Sequence, residues 1–170
     1  MKILFVYPGM ELSGRYKDII AGVTVPPQGI CQLAGVTRKM GLQTYIIDAM
    51  VSKYNVDQIV DAIKEINPDI LGISSTTMQI FTSAKIAKQV KQILPNIKIL
   101  IGGPHATVTT DETMKRFPDF DIAFIGESEV TIKDYLEALR YYSDITAIRG
   151  LAIRSYVNLL FSKPTLPKNS

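Results

Sequence analysis

Short apolar runs and helical stripes alternate along most of this chain. The runs are Ile3–Tyr7, Thr44–Ile47, Ile70–Ser74, Ile97–Ile101 and Asp121–Ile125. Each is nearly continuous rather than alternating, as a strand must be when both its faces are covered. Between them, apolar residues recur at helical spacing. Ile30, Leu33, Ala34 and Met40 mark a first helix that Gly41 stops; Val56, Ile59, Val60, Ile63 and Ile66 mark a second that Asn67-Pro68 ends. Ile80, Ala84, Ala87, Val90 and Leu94 stripe a third, a short fourth spans about Thr110–Arg116, and Ile132, Tyr135, Leu136 and Leu139 stripe a fifth. Strand–helix alternation with right-handed crossovers builds an α/β fold, a doubly wound five-stranded parallel sheet. The expected strand order is 2-1-3-4-5, with the switch point between strands one and three.

After about Ala147 the pattern changes. Ile148–Arg154 and Val157–Phe161 flank Ser155-Tyr156 and read as a small hairpin, followed by the linker-like Lys163-Pro164-Thr165-Leu166-Pro167-Lys168. The expected division is an α/β domain over 1–147 and a hairpin with linker over 148–170. One loop is out of proportion: roughly eighteen residues, Pro8–Val25, separate the first strand from the first helix. A loop that long in a compact domain commonly carries function, and this one opens beside the switch point.

Composition narrows the chemistry. A chain of 170 residues, 46% apolar and 21% charged, suits one globular domain. The net charge of +3 comes from scattered Lys and Arg, which argues against nucleic acid as the main partner. No apolar run is long enough to span a bilayer, and the opening Met1–Tyr7 reads as a buried strand rather than a leader, so a cytoplasmic location is expected. The single cysteine, Cys31, excludes an internal disulfide, a Cys-ligated cluster and a Cys-rich zinc site. It is expected to be a small core residue on the first helix's apolar face. The single histidine, His105, excludes any site needing two imidazoles.

The familiar ligands of doubly wound sheets fail one by one. The first loop lacks Gly-x-Gly-x-x-Gly, and Arg15-Tyr16 stands where a phosphate-binding loop needs Lys-Ser/Thr after Gly9 and Gly14. Tyr7-Pro8-Gly9-Met10-Glu11-Leu12 is not the hydroxyl-rich loop that holds a flavin phosphate. A phospho-receiver domain wants an Asp at Ser74, acids at Pro8-Gly9 and a Lys near Gly126-Glu127. What gathers at the strand ends is chemically mild: Ser74-Ser75-Thr76-Thr77, Gly102-Gly103-Pro104-His105, and Gly126-Glu127-Ser128-Glu129. Hydroxyls and backbone amides hold a large polar-edged ligand without attacking it, and paired glycines leave room for one. Ser74, Thr76 and Ser128 can equally serve as helix caps. No residue stands out as a general acid or base or as a metal ligand; Asp48 and Glu127 suit local capping or bridging.

These marks resemble a family. Met1-Lys2-Ile3-Leu4-Phe5-Val6-Tyr7-Pro8, Pro26-Pro27-Gln28-Gly29-Ile30, Pro68-Asp69-Ile70-Leu71-Gly72-Ile73-Ser74, Ile101-Gly102-Gly103-Pro104-His105-Ala106-Thr107 and Gly126-Glu127-Ser128-Glu129 follow one another as in the N-terminal cobalamin-binding, Rossmann-like domain of cobalamin-dependent radical SAM enzymes. That family includes the anaerobic magnesium-protoporphyrin IX monomethyl ester oxidative cyclase. The resemblance implies a corrin across the strand ends and a nucleotide tail in a groove of the domain. Ser74 and Thr76 would bond the tail, Gly102 and Gly103 would leave room for it, and Glu127 would sit by a corrin amide or hold the neighbouring loop; Ser75, Pro104, Gly126 and His105, the last as a hydrogen-bonding or turn residue, complete the expected cofactor-binding set. Pro8, Gly9 and Met10 would face the corrin's lower side.

Two departures bear on mechanism. Cobalamin domains of methionine-synthase type carry Asp-x-His-x-x-Gly after the first strand, whereas residues 8–25 contain no histidine, so no cobalt ligand is expected from that loop. The Cys-x-x-x-Cys-x-x-Cys of a radical SAM cluster is also absent. The iron–sulfur cluster and S-adenosylmethionine would therefore belong to a downstream radical SAM domain, in the same or a partner chain, and this module would itself be non-catalytic. The alternative expectation is an interaction scaffold with a degenerate cobalamin pocket; a nucleotide or flavin binder is a weaker one.

Overall fold

A computed structural model of the chain describes residues 1–9, 25–155 and 159–162. The strands are β1 (Lys2–Tyr7), β2 (Gln43–Asp48), β3 (Ile70–Ser74), β4 (Lys98–Gly102), β5 (Ile122–Phe124), β6 (Leu151–Arg154) and β7 (Leu159–Phe161). They form one sheet in the order β2-β1-β3-β4-β5-β6-β7. The first five are parallel, in the expected order, so the chain reverses direction across the sheet between β1 and β3. The C-terminal hairpin is not a separate appendage. Its first strand pairs antiparallel with β5, Ala123 opposite Ala152, and its second with β6, Ile153 opposite Leu160, which makes the sheet seven-stranded rather than five-stranded. Arg154 fastens this edge: its Nε donates to Phe120 O at 2.9 Å, and its Nη2 donates to Phe117 O at 3.2 Å and to Met114 O.

The helices are α1 (Gln28–Lys39), α2 (Ala49–Ser52), α3 (Val56–Ile66), α4 (Ile80–Ile93), α5 (Pro104–Val108), α6 (Thr110–Arg116) and α7 (Glu129–Tyr141). Local chemistry explains their limits. Asn55 accepts from Gln58 N at 2.9 Å while Gln58 Oε1 accepts from Asn55 N at 3.0 Å, a reciprocal cap that starts α3. Asn67 ends that helix in the left-handed conformation, with Pro68 behind it. Asp48 caps α2, accepting from Met50 N and Val51 N. Two of these helices, α2 and α5, have no counterpart among the expected elements; both are a turn or so long and follow a strand directly.

Alternate residues of each strand feed two cores. Leu4, Val6, Leu71, Ile73, Ile99 and Ile101 pack under α3, α4 and α6. Ile3, Phe5, Ile70, Leu100, Ile122 and Phe124 pack under α1 and α7. The two edge strands lack double coverage, β2 leaving Tyr45 and Ile46 exposed and β7 leaving Leu160 and Phe161 exposed. Cys31 corrects the expectation of a core residue: it is exposed. The buried stripe of α1 runs through Ile30, Ala34 and Thr37, and a residue one position past Ile30 is turned about 100° away from it.

Candidate cofactor cleft

The carboxyl ends of β3, β4 and β5 are stitched together by their own loops. Ser75 N donates to Gly102 O at 2.9 Å, and His105 N donates to Ser75 O at 3.1 Å. The Thr107 hydroxyl donates to Gly103 O at 3.0 Å and accepts from Gly126 N at 3.1 Å, joining the β4 and β5 loops. Gly103 stands at the centre of this stitching with φ +92°. A Cβ there would lie 2.9 Å from Ser74 Oγ and from the backbone N and O of Ser75. Its glycine is demanded by the protein's own chain, not by a ligand.

Gln79 ties the switch point. This buried side chain donates from Nε2 to Pro8 O at 2.6 Å, and its Oε1 accepts from Thr76 N at 3.1 Å and Thr76 Oγ1 at 2.9 Å. One amide therefore holds the exit of β1 against the exit of β3. Ser75 is equally committed, donating to Thr76 O and accepting from Ser83 Oγ at 3.1 Å. Capping does not explain the hydroxyls after all. The N-cap of α4 is Gln79, and neither it nor Ser128, the N-cap of α7, makes a side-chain cap bond.

On the α1/α7 face an open cleft of about 140 Å³ descends from these loops along the sheet. The two helices meet at their far ends, where Arg140 Nη2 donates to Met40 O at 3.4 Å. Between their first turns the sheet is uncovered, because β3 and β4 present small residues there: Gly72, Ser74 and Gly102. The Phe5 ring lies across Gly72, where a Cβ would come 2.8 Å from Phe5 Cδ1. A Cβ on Gly102 would meet only Phe124 Cβ, at an ordinary 3.7 Å. The space at Gly102 is thus room the fold leaves over.

Five of the expected site residues line this cleft: Ser74, Gly102, Gly103, Gly126 and Glu127. Pro8, Gly9, Ser75 and Thr76, in the turns at its mouth, and Pro104 and His105, in the first turn of α5, do not line it. Met10 lies outside the described residues, as does the loop through residue 24. His105 Nδ1 is 3.1 Å from Thr77 Oγ1. Burial holds its imidazole below the usual histidine value, against an upward pull from Glu112. Sequence reasoning missed the cleft's floor and walls, Phe5, Gly72, Phe124 and Ile132 with Leu33 of α1, and it missed the Gln79 tie. Gly72 carried a usable signal, since a glycine inside a strand pattern marks a close approach to the backbone. Gln79 carried none, because its partner lies 71 residues away.

Among the described residues no group of three or more His, Cys, Asp and Glu side chains is placed to hold a metal ion, and no helix is long and apolar enough to cross a membrane. The arrangement binds and orients. The cleft is about the size of an engineered cavity, ~150 Å³, that accepts benzene. It fits one flat ring system with its attachment emerging at the mouth, and a macrocycle would have to rest outside, on the loops.

A doubly wound α/β domain with a preformed cleft at its carboxyl edge is a ligand-binding module by architecture. Residues 19–136 match the B12 binding domain family, and the chain belongs to that family, whose cofactor is cobalamin. An uncharacterized methyltransferase of Pyrococcus horikoshii is 34% identical over 154 residues, covering 91% of this chain and 33% of that protein. The anaerobic magnesium-protoporphyrin IX monomethyl ester cyclase of Rubrivivax gelatinosus is 26% identical over 176 residues, covering 98% of this chain and 30% of the cyclase. The cobalamin-dependent S-adenosylmethionine radical enzyme OxsB, solved with aqua-cobalamin and S-adenosylmethionine bound, shares the fold with a TM-score of 0.79 at 16% identity, over 97% of this chain and 22% of its own. The chain thus spans a third or less of the length of these relatives.

Proposed function

We propose that this chain is the cobalamin-holding module of a cytoplasmic radical SAM methyltransferase or cyclase system. The observation that carries the reading is the cleft at Gly102, where the fold omits a side chain it has room for. The corrin would rest across the loops after β1, β3, β4 and β5, over Pro8, Gly9, Met10, Ser75, Thr76, Pro104 and His105. Its nucleotide tail would enter the cleft past Ser74, Gly102 and Gly103, with Gly126 and Glu127 on the opposite rim. Residues 8–25 offer no imidazole to the metal, and the His105 ring is engaged with Thr77, so the lower face of the cobalt would carry no histidine from this domain.

Cobalamin, when bound, supplies the cobalt-centred group-transfer chemistry. The chain's own contribution is to hold the ring rigidly. The bonds from Ser75, Thr107 and Gln79 tie Pro8 and the turns after β3, β4 and β5 to one another before any ligand arrives, which lowers the ordering cost of binding. The reactive partner would be a radical SAM domain, in the same or another chain, carrying the iron–sulfur cluster and S-adenosylmethionine.

Titrating the chain with hydroxocobalamin, read by its visible spectrum and by calorimetry, tests the proposal. Saturable binding with the spectrum of a cobalamin whose base has left the metal is the expected result. Absence of saturable binding at high micromolar cobalamin overturns it in favour of a docking scaffold.

A further inference from the structure

We infer that the cleft selects corrinoids by the base of their nucleotide, taking a flat apolar benzimidazole and disfavouring a purine. The inference rests on the proposal that the tail enters this cleft, and it goes further by assigning the cleft a specificity. The deep walls are side chains without polar atoms: Phe5, Leu33, Leu100, Phe124 and Ile132. The backbone of the floor is engaged in the sheet, where Gly72 and Leu100 are partners, and Gly102 O accepts from Ser75 N. Among the described residues that line the cleft, the hydrogen-bonding side chains are Gln32, Ser74, Glu127, Ser128 and Glu129, and Gln32 is exposed rather than buried in the cleft.

A benzimidazole, with one free ring nitrogen, otherwise presents carbon to such walls. An adenine of similar outline carries an exocyclic amine and further ring nitrogens, each of which loses water on entry. A buried donor or acceptor left without a partner costs enough to lower affinity about tenfold or more. Ring size is not the discriminator, since both bicyclic systems are flat and the cleft is open at its mouth. Polarity is.

Three ligands separate the outcomes: cobalamin, the cobamide bearing adenine in place of the benzimidazole, and cobinamide, which has no nucleotide. All are used as dicyano forms, so that cyanide fills both axial positions and each base hangs free of the metal. The expected order of affinity is cobalamin, then the adeninyl cobamide weaker by about tenfold or more, then cobinamide. Equal affinity for the two cobamides, both above cobinamide, overturns the selectivity and leaves the tail in the cleft. Equal affinity for cobalamin and cobinamide overturns the placement of the tail itself. Gly102→Val supplies the second readout. The first carbon it adds has room at 3.7 Å from Phe124 Cβ, and its methyls project into the cleft. In a variant whose melting shows it folded, cobalamin affinity should drop to that of cobinamide, with cobinamide unchanged. Retention of the cobalamin preference by that variant overturns the inference.

Discussion

The two faces of the sheet use the same strands to opposite ends. In β3 and β4 the residues turned to α3 and α4 are Leu71, Ile73, Ile99 and Ile101, all essentially inaccessible. The intervening residues, turned to α1 and α7, begin large and then shrink: Ile70 to Gly72 to Ser74, and Leu100 to Gly102. One face is packed to its end; the other stops being packed a turn short of the loops. Packing at crystal-like density leaves no room for a ligand, so the open cleft exists where the alternation of one face is broken. The difference teaches that one face is packed throughout while the other, over its last residues, leaves an open cleft.

The sharpest way to break that contrast is to truncate the packed face. Ile99→Ala removes a fully buried side chain between β3, β5 and the helices above. A loss of roughly 2–5 kcal/mol is expected, from lost burial and from the cavity left behind. It reads as a lower denaturation midpoint, and the folded variant should bind cobalamin as before. A large fall in affinity with little loss of stability would mean that the two faces are not separable in this way.

Tyr135 tests the lower part of the cleft face, where packing is complete. Its ring meets Phe124 edge-on, with centroids 5.8 Å apart. Burial, with Asp121 adding to it, pushes its hydroxyl up to about 12. The folded pKa is above the unfolded value, so the stability it contributes is present below pH 10 and is lost as pH rises towards 12. A shift of that size corresponds to roughly 3 kcal/mol. Tyr135→Phe should flatten the alkaline limb of a stability-against-pH curve between 10 and 12; an unchanged limb would mean the phenol ionises freely in the folded state.

Two neighbouring glycines on the cleft face sharpen the comparison further. Gly72→Ala drives a methyl to 2.8 Å from Phe5 Cδ1, so the ring must shift, and overpacking of this kind costs roughly 1–3 kcal/mol. Gly102→Ala meets nothing closer than 3.7 Å. With no bound cofactor it should stabilise the chain by about 0.4–1 kcal/mol, because alanine restricts the unfolded state. Opposite signs in thermal melts, from the same substitution on adjacent strands, would separate a glycine kept for packing from one kept for a ligand. Equal destabilisation at both sites would erase that distinction.

The legibility of the sequence divides along the same line. Strands and long helices could be read because their apolar residues follow a period, and coverage of both faces leaves near-continuous runs such as Ile97–Ile101. The strand order followed from chain connectivity. That Gly102, Gly103, Ser74, Gly126 and Glu127 line the cleft could be anticipated because glycines and hydroxyls cluster where strands end, and the family resemblance gave the ligand. The floor was hidden because Phe5, Leu100 and Phe124 look like any core residue until the neighbouring glycines are known to leave them uncovered. Gly103 was misjudged in kind. It lines the cleft, but its positive φ and its crowding against Ser75 make it a fold requirement, which only the tertiary contact reveals. Cys31 went astray because one residue of helical phase separates a buried position from an exposed one.

The smallest expected effect concerns the loop that crosses between the two faces. His105 sits in the first turn of α5, beside the cleft's mouth but not on its lining. Desolvation lowers its pKa, partly offset by Glu112. A depressed folded pKa means the neutral ring is favoured in the fold. Its contribution is therefore intact above about 6.5 and is lost as pH falls through the lower, folded value. His105→Asn keeps a partner for Thr77 and removes the titration, so the stability curve of the variant should be flatter on the acid side of 6.5 while matching the parent at pH 8. Cobalamin affinity at pH 8 should fall only slightly, because the residue shapes the loop under the ring and does not line the cleft. A loss as great as that of Gly102→Val would put His105 in direct contact with the cofactor and move the functional centre of the edge from the cleft to the β4 loop.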